Sequence, residues 1–142
     1  PLLGAGASEN CYSTNLLDDY FDNANVSLRS PVIDLTAIPA GTVLSLEFET
    51  WRDVDIDGDF GTISVLEVVD PADSSLDVPI GGPLATDIGV GEVDFDWARY
   101  PALLLPDAAN GKNIRLEFNF FSDDIGLPYS GWHIDNVKID FE

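Results

Sequence analysis

Leu44-Ser45-Leu46-Glu47-Phe48-Glu49 alternates apolar and polar side chains without a break, and Ile114-Arg115-Leu116-Glu117-Phe118-Asn119-Phe120 repeats the pattern later in the chain. Successive side chains of an extended strand point to opposite faces, so each stretch reads as an antiparallel strand with one buried face. Ile63 and Val65 alternate with Ser64, Leu66 and Val68, which predicts a strand over 60–68 covered on both sides. Further strands are expected over 44–51, 31–35 and 132–141. Turn signals separate them: Pro39-Ala40-Gly41, Asp57-Gly58, Pro71-Ala72-Asp73, Gly81-Gly82-Pro83 and Asn110-Gly111. No segment has a convincing helical period, and 103–109 is interrupted by Pro106. Short strands with regular turns predict an all-β chain folded as an antiparallel two-sheet β-sandwich.

The chain of 142 residues suits one module with a sizeable core. Residues 11–142 are expected to form it, and 1–10 to be a linker or loose terminus. Residues 70–92, rich in Pro, Gly and Asp, are expected to leave the sheet as a long excursion, either functional or simply mobile. No apolar run approaches the roughly 20 residues of a membrane-spanning helix. The 26 acidic residues against six Lys and Arg leave a net charge of −20. That charge excludes nucleic acid and anionic membrane surfaces as natural partners, since both are polyanions. Cys11 stands alone, so no internal disulfide and no cysteine-based zinc site can form.

Asp53-Val54-Asp55-Ile56-Asp57-Gly58-Asp59 places four carboxylates at every second position. Hard divalent cations take oxygen ligands, and a tight turn with this spacing can aim several at one point. Calcium is the expected ion, with Asp53, Asp55, Asp57 and Asp59 as candidate ligands. The stretch begins like an EF-hand loop but fails its end, where Ser64 stands at the position of the bidentate Glu. The alternative is an acidic hairpin turn that binds no metal.

Three segments in order resemble a family of MAM-like jelly-roll modules found in immune-inhibitor-A-type peptidases and in bacterial secreted and surface proteins. They are Cys11-Tyr12-Ser13-Thr14-Asn15-Leu16 through Ser27-Leu28-Arg29-Ser30-Pro31-Val32-Ile33-Asp34-Leu35; Leu44-x-Leu46-x-Phe48 leading to Trp51, Asp53 and Asp59; and Phe118-x-Phe120-x-Ser122-Asp123 followed by Gly131-Trp132-His133-Ile134-Asp135-Asn136-Val137. His133 replaces the family's usual Tyr and Asn136 its second Asp. The resemblance covers residues 10–142. It implies a jelly roll similar to galactose-binding domains, a secreted or cell-surface bacterial location and a place in a larger multidomain protein. It also implies a calcium ion near the last strand, with Asp135 the leading ligand candidate and Asp123, in the same matching segment, beside it.

A nucleophilic hydrolase needs Ser, Cys or Thr beside a base that a third group orients. With one His and one Cys, and no His pair for zinc, the chain reads as non-catalytic, and His133 as a surface or packing residue. Exposed aromatic rings on a sandwich stack on the apolar faces of sugars. Trp51 falls out of step with Leu44, Leu46 and Phe48 and so points away from the core. Trp97 stands among Asp94, Asp96 and Arg99, and Tyr100 and Tyr129 are further candidates. Trp132, in step with Ile134, is expected in the core. The function expected is therefore a calcium-stabilised carbohydrate-binding accessory module of a secreted enzyme, with a neutral polysaccharide as partner. The other class is a structural or adhesion domain of a secreted peptidase that contacts protein.

Overall fold

The computed structural model describes residues 3–15, 17–126 and 129–142. The strands, in chain order, are β1 (Tyr12–Ser13), β2 (Asn25–Arg29), β3 (Ile33–Asp34), β4 (Leu44–Asp53), β5 (Phe60–Glu67), β6 (Val78–Pro79), β7 (Ala85–Ile88), β8 (Ala98–Arg99), β9 (Leu103–Leu104), β10 (Asn113–Phe121) and β11 (Gly131–Phe141). Helical structure among the described residues is confined to three single 3-10 turns. Two antiparallel sheets form. One runs β1-β11-β4-β8 with β9 also on β4; the other runs β2-β10-β5-β6 with β3 also on β10 and β7 on β5. The chain is the all-β sandwich that its period-two pattern predicts.

The inner faces are the alternating residues named above. Leu44, Leu46 and Phe48 of β4 meet Ile63 and Val65 of β5, Ile114, Leu116, Phe118 and Phe120 of β10, and Trp132 and Ile134 of β11. All are nearly sealed from solvent. Trp132 reaches across to the opposite sheet, near Phe118, and its Nε1 donates to Thr50 Oγ1 at 2.9 Å. Gly61 of β5 leaves the room: a Cβ there would meet the Trp132 ring at 2.6 Å.

The expected excursion at 70–92 returns to the sheet. β6 pairs with Leu66 and Glu67, and β7 with Gly61 and Ile63, so both cover the free edge of β5. Edge strands invite unwanted pairing, and covering them is a common remedy. Asp77, whose side chain is fully buried, pins the segment through Arg115 at 2.6 Å. Arg115 also donates to Pro71 O at 2.9 Å. The outward side of β5 is therefore partly covered, as expected for a strand with apolar residues at both phases.

The segment expected as a loose terminus is fastened as far as it is described, Pro1 and Leu2 lying outside the described residues. Gly4 and Ala5 are buried. Ala5 N and Ser8 Oγ donate to the same carboxylate oxygen of Asp135, at 2.9 and 2.7 Å. Residues 3–8 thus lie over the outer face of the β11–β4 sheet, where the candidate site stands.

Candidate functional site

Two places gather the residues singled out in the sequence: the acidic turn between β4 and β5, and the outer face of the β11–β4 sheet.

At the turn, the hydrogen bonds divide the carboxylates among different partners. Asp53 accepts from the backbone N of Ser130 at 3.0 Å and from its hydroxyl at 2.8 Å. Asp59 is almost fully buried and accepts from Asp123 N at 2.8 Å and from the Tyr20 hydroxyl. The same hydroxyl accepts from Asp55 N at 3.0 Å. Burial, and then the bond to Asp59, push the Tyr20 phenol well above its ordinary range, so it stays a donor. Asp55 accepts from Asp57 N at 3.2 Å, which tightens the turn, while Asp57 itself is exposed. Asp123 leans against Gly58, where a Cβ would collide with its carboxylate, and accepts from Ile125 N at 2.8 Å. Asp135 lies apart, holding residues 5 and 8. Among the described residues no three Asp, Glu, His or Cys side chains converge as a metal ion needs. In this arrangement five of the six carboxylates act as hydrogen-bond acceptors, for Tyr20, Ser130, the first residues of the chain and nearby backbone N–H groups, while the exposed Asp57 side chain takes none of these roles.

His133, expected as a surface or packing residue, is buried at 5% exposure. Its Nε2 lies 3.2 Å from Ser130 Oγ, the hydroxyl that Asp53 also holds. Burial lowers the imidazole from 6.5 to about 4, so it is neutral at neutral pH. The three residue types match a hydrolytic triad but their order does not. A triad places the imidazole between carboxylate and hydroxyl, so that the base is oriented and can take the hydroxyl proton. Here the hydroxyl is in the middle and gives its proton to Asp53. Sequence reasoning had no signal for this contact, because Asp53 and Ser130 meet only through the β4–β11 pairing of Asp53 with Gly131.

On the outer face, β4 presents Glu47, Glu49 and Trp51, since Leu46, Phe48 and Thr50 take the core side. Trp51 and Trp97 form an aromatic corner, with ring centres 6.3 Å apart and planes 87° to each other. Both rings are half-buried. An open cleft of about 500 Å³ lies against them, walled by Leu3, Gly4, Glu49 and Asp96. Trp97 Nε1 donates to Leu3 O at 3.0 Å, and its backbone N to Asp96 Oδ1 at 2.8 Å. The loop bearing Trp97 is anchored one strand position away. Arg52 grips Asp94 with two parallel bonds of 2.7 and 2.8 Å and also pairs with Glu92. Such bidentate pairs fix geometry as well as charge. The hydrogen bond to Asp94 and the charges of both carboxylates keep the guanidinium protonated throughout the accessible range. Nothing local in the sequence announces this clasp, which spans 42 residues.

The other two aromatic candidates stand elsewhere. Tyr100 stacks on Phe48, with ring centres 4.9 Å apart and an angle of 14°, and Tyr129 packs against the core. The structure brings Trp51 and Trp97 together and leaves Tyr100 and Tyr129 out of their cleft.

No family model matches the chain. Over 136 residues, 95% of its length, the chain is 31% identical to a stretch of Bacillopeptidase F from Bacillus subtilis (strain 168). It spans only 8% of that protein. The stretch is thus a small part of a peptidase, consistent with an accessory module rather than a complete enzyme. Among the described residues no helix is long and apolar enough to cross a membrane.

Proposed function

We propose that this chain is a non-catalytic accessory module, carried by a larger extracellular protein, that binds neutral carbohydrate on the outer face of its β11–β4 sheet. One observation carries the reading: the perpendicular Trp51–Trp97 corner opens on a cleft whose rim holds Glu49 and Asp96. One ring offers its face to a pyranose and the other a wall, while the carboxylates accept from hydroxyl groups. Stacking of this kind needs large rigid rings in partial contact with water. The surrounding negative charge disfavours sulfated and uronate chains. A position inside a larger protein is supported by the similarity to a small part of Bacillopeptidase F.

The same similarity favours a second reading, a structural or adhesion domain that packs on a peptidase or a protein partner. Calcium stabilisation is a separate proposal, supported by the spacing of Asp55, Asp57 and Asp59 and by the approach of Asp123 to Gly58. The described side chains would have to turn toward one another to hold the ion.

The test is retention of the isolated chain in native gels cast with neutral polysaccharides, beside thermal melting. Trp51→Ala and Trp97→Ala are expected to weaken retention by about 1–3 kcal/mol, the usual cost of losing an aromatic anchor. Their melting should change little compared with Trp132→Ala, which removes a core ring and should cost about 3–5 kcal/mol. If no polysaccharide retards the chain, the sugar reading falls and the protein-contact reading leads.

A further inference from the structure

The aromatic corner is one end of a longer feature. Glu47, Glu49 and Trp51 follow one another on the outward side of β4 at every second position, so at about 3.4 Å per residue they span roughly 14 Å. A second cleft of about 190 Å³ lies beside the first, lined by Glu47, Glu49, Arg99, Asn136 and Lys138. The two clefts share Glu49.

This second cleft is built by an irregularity in β11. Register shifts between Asp135 and Lys138, leaving Asn136 and Val137 unpaired. Asn136 takes the left-handed conformation at φ 50°, uncommon for any residue other than Gly. Bulges re-aim side chains and gather next to functional sites. This one turns the Asn136 amide so that Nδ2 donates to Glu49 Oε2 at 2.6 Å. Lys138 pairs with Glu47 at 2.8 Å, and Arg99 pairs with the same carboxylate. Two of the six cations of this acidic chain are therefore spent on neutralising one strand face. The result is a patch with exposed donors and acceptors of both kinds, in which Arg99 and Lys138 offset much of the charge of Glu47, Glu49 and Asp140, the chemistry that suits a polyhydroxylated, uncharged ligand.

We infer that the ligand is an extended neutral oligosaccharide laid along β4, stacked on Trp51 and Trp97 at one end and read through its hydroxyl groups by Glu49, Asn136, Arg99 and Lys138 at the other. A single sugar ring fills only the aromatic end. The inference rests on the carbohydrate reading above and adds the length of the ligand and the residues of a second subsite.

The experiment uses the polysaccharide that retards the intact chain most strongly, cut to monomer, dimer, trimer and hexamer and titrated by calorimetry. Affinity is expected to rise at least about tenfold from monomer to hexamer. Arg99→Ala and Asn136→Gly should remove most of that rise and leave the weak binding of the monomer in place. Glycine keeps the backbone at φ 50° accessible, and Arg99 is largely exposed, so both variants should fold. Trp51→Ala should weaken every length alike. Equal affinity for monomer and hexamer, or a full rise retained in both variants, would overturn the second subsite while leaving sugar binding intact. Failure of every neutral polysaccharide to bind overturns both.

Discussion

Gly61→Ala tests the way the two sheets meet. Gly61 is buried in β5, opposite Phe120 of β10, and its backbone is not in the left-handed region that favours glycine. On backbone grounds alone, alanine should stabilise the chain by about 0.4–1 kcal/mol, because it narrows the unfolded ensemble. The contact argues the other way. The new Cβ would stand 2.6 and 2.7 Å from Cζ3 and Cε3 of Trp132. The indole cannot swing aside freely, since its Nε1 is bonded to Thr50 and its ring packs near Phe118. Overpacking of a fixed core typically costs about 1–3 kcal/mol, so against a backbone gain of about 0.5 kcal/mol the net effect should be a loss of about 0.5–2.5 kcal/mol. In urea this appears as a lower midpoint at unchanged slope. The decisive arm is the double variant. In a Trp132→Leu background the obstacle is gone, and Gly61→Ala should become neutral or stabilising, giving a coupling of at least about 1 kcal/mol. A neutral or stabilising Gly61→Ala in the wild-type background, or additivity with Trp132→Leu, would refute the packing described.

Three further outcomes are expected. His133 is neutral when folded, with its imidazole lowered to about 4, whereas the unfolded residue takes a proton near 6.5. The unfolded state therefore binds more protons between these values, and stability present above pH 6.5 should fall by on the order of 1–3 kcal/mol as pH drops toward 4. His133→Phe should flatten this part of a denaturation profile, and an unchanged profile would exclude His133 as its source. Tyr20→Phe leaves the buried Asp59 carboxylate and Asp55 N each short of a partner and should cost about 1–3 kcal/mol in chemical denaturation. Calcium added to demetallated protein should raise the melting temperature if the acidic turn gathers around it, and identical curves with calcium and with chelator would retire that proposal.

The long strands were legible because burial on one face leaves a period of two. β4, β5, β10 and β11 lie within one or two residues of their expected ends. β2 was not read as a strand. Asn25, Val26 and Ser27 are all exposed at a sheet edge, so no alternation marks them. β6, β8 and β9 are two residues long and owe their conformation to the neighbours they pair with. The site was legible to the same extent. Parity along β4 turns Trp51 outward, but nothing local shows that Trp97 will meet it, because the Arg52–Asp94 clasp brings that loop round. Spacing in the acidic turn tells which carboxylates are near one another. It does not tell that Ser130, Tyr20 and the backbone of Asp123 approach from three other segments and take their oxygens.

The position of β11 sets an order of events during synthesis. The strand lies inside its sheet, between β1 and β4, and supplies Trp132 and Ile134 to the core. Half of the sandwich therefore cannot close until residues 131–141 have left the ribosome. β2, β5 and β10 are already complete by then and can pair with one another, but the side of that sheet bearing Ile63, Val65, Leu116, Phe118 and Phe120 has only β4 and the two-residue strands β8 and β9 beside it to cover it. Pairing β4 with β11 also joins residues far apart in sequence, and such closures are slow. A half-made sandwich with an open apolar face is a target for aggregation and for chaperones. Losing the last strand should thus leave a sticky sheet rather than a smaller stable module.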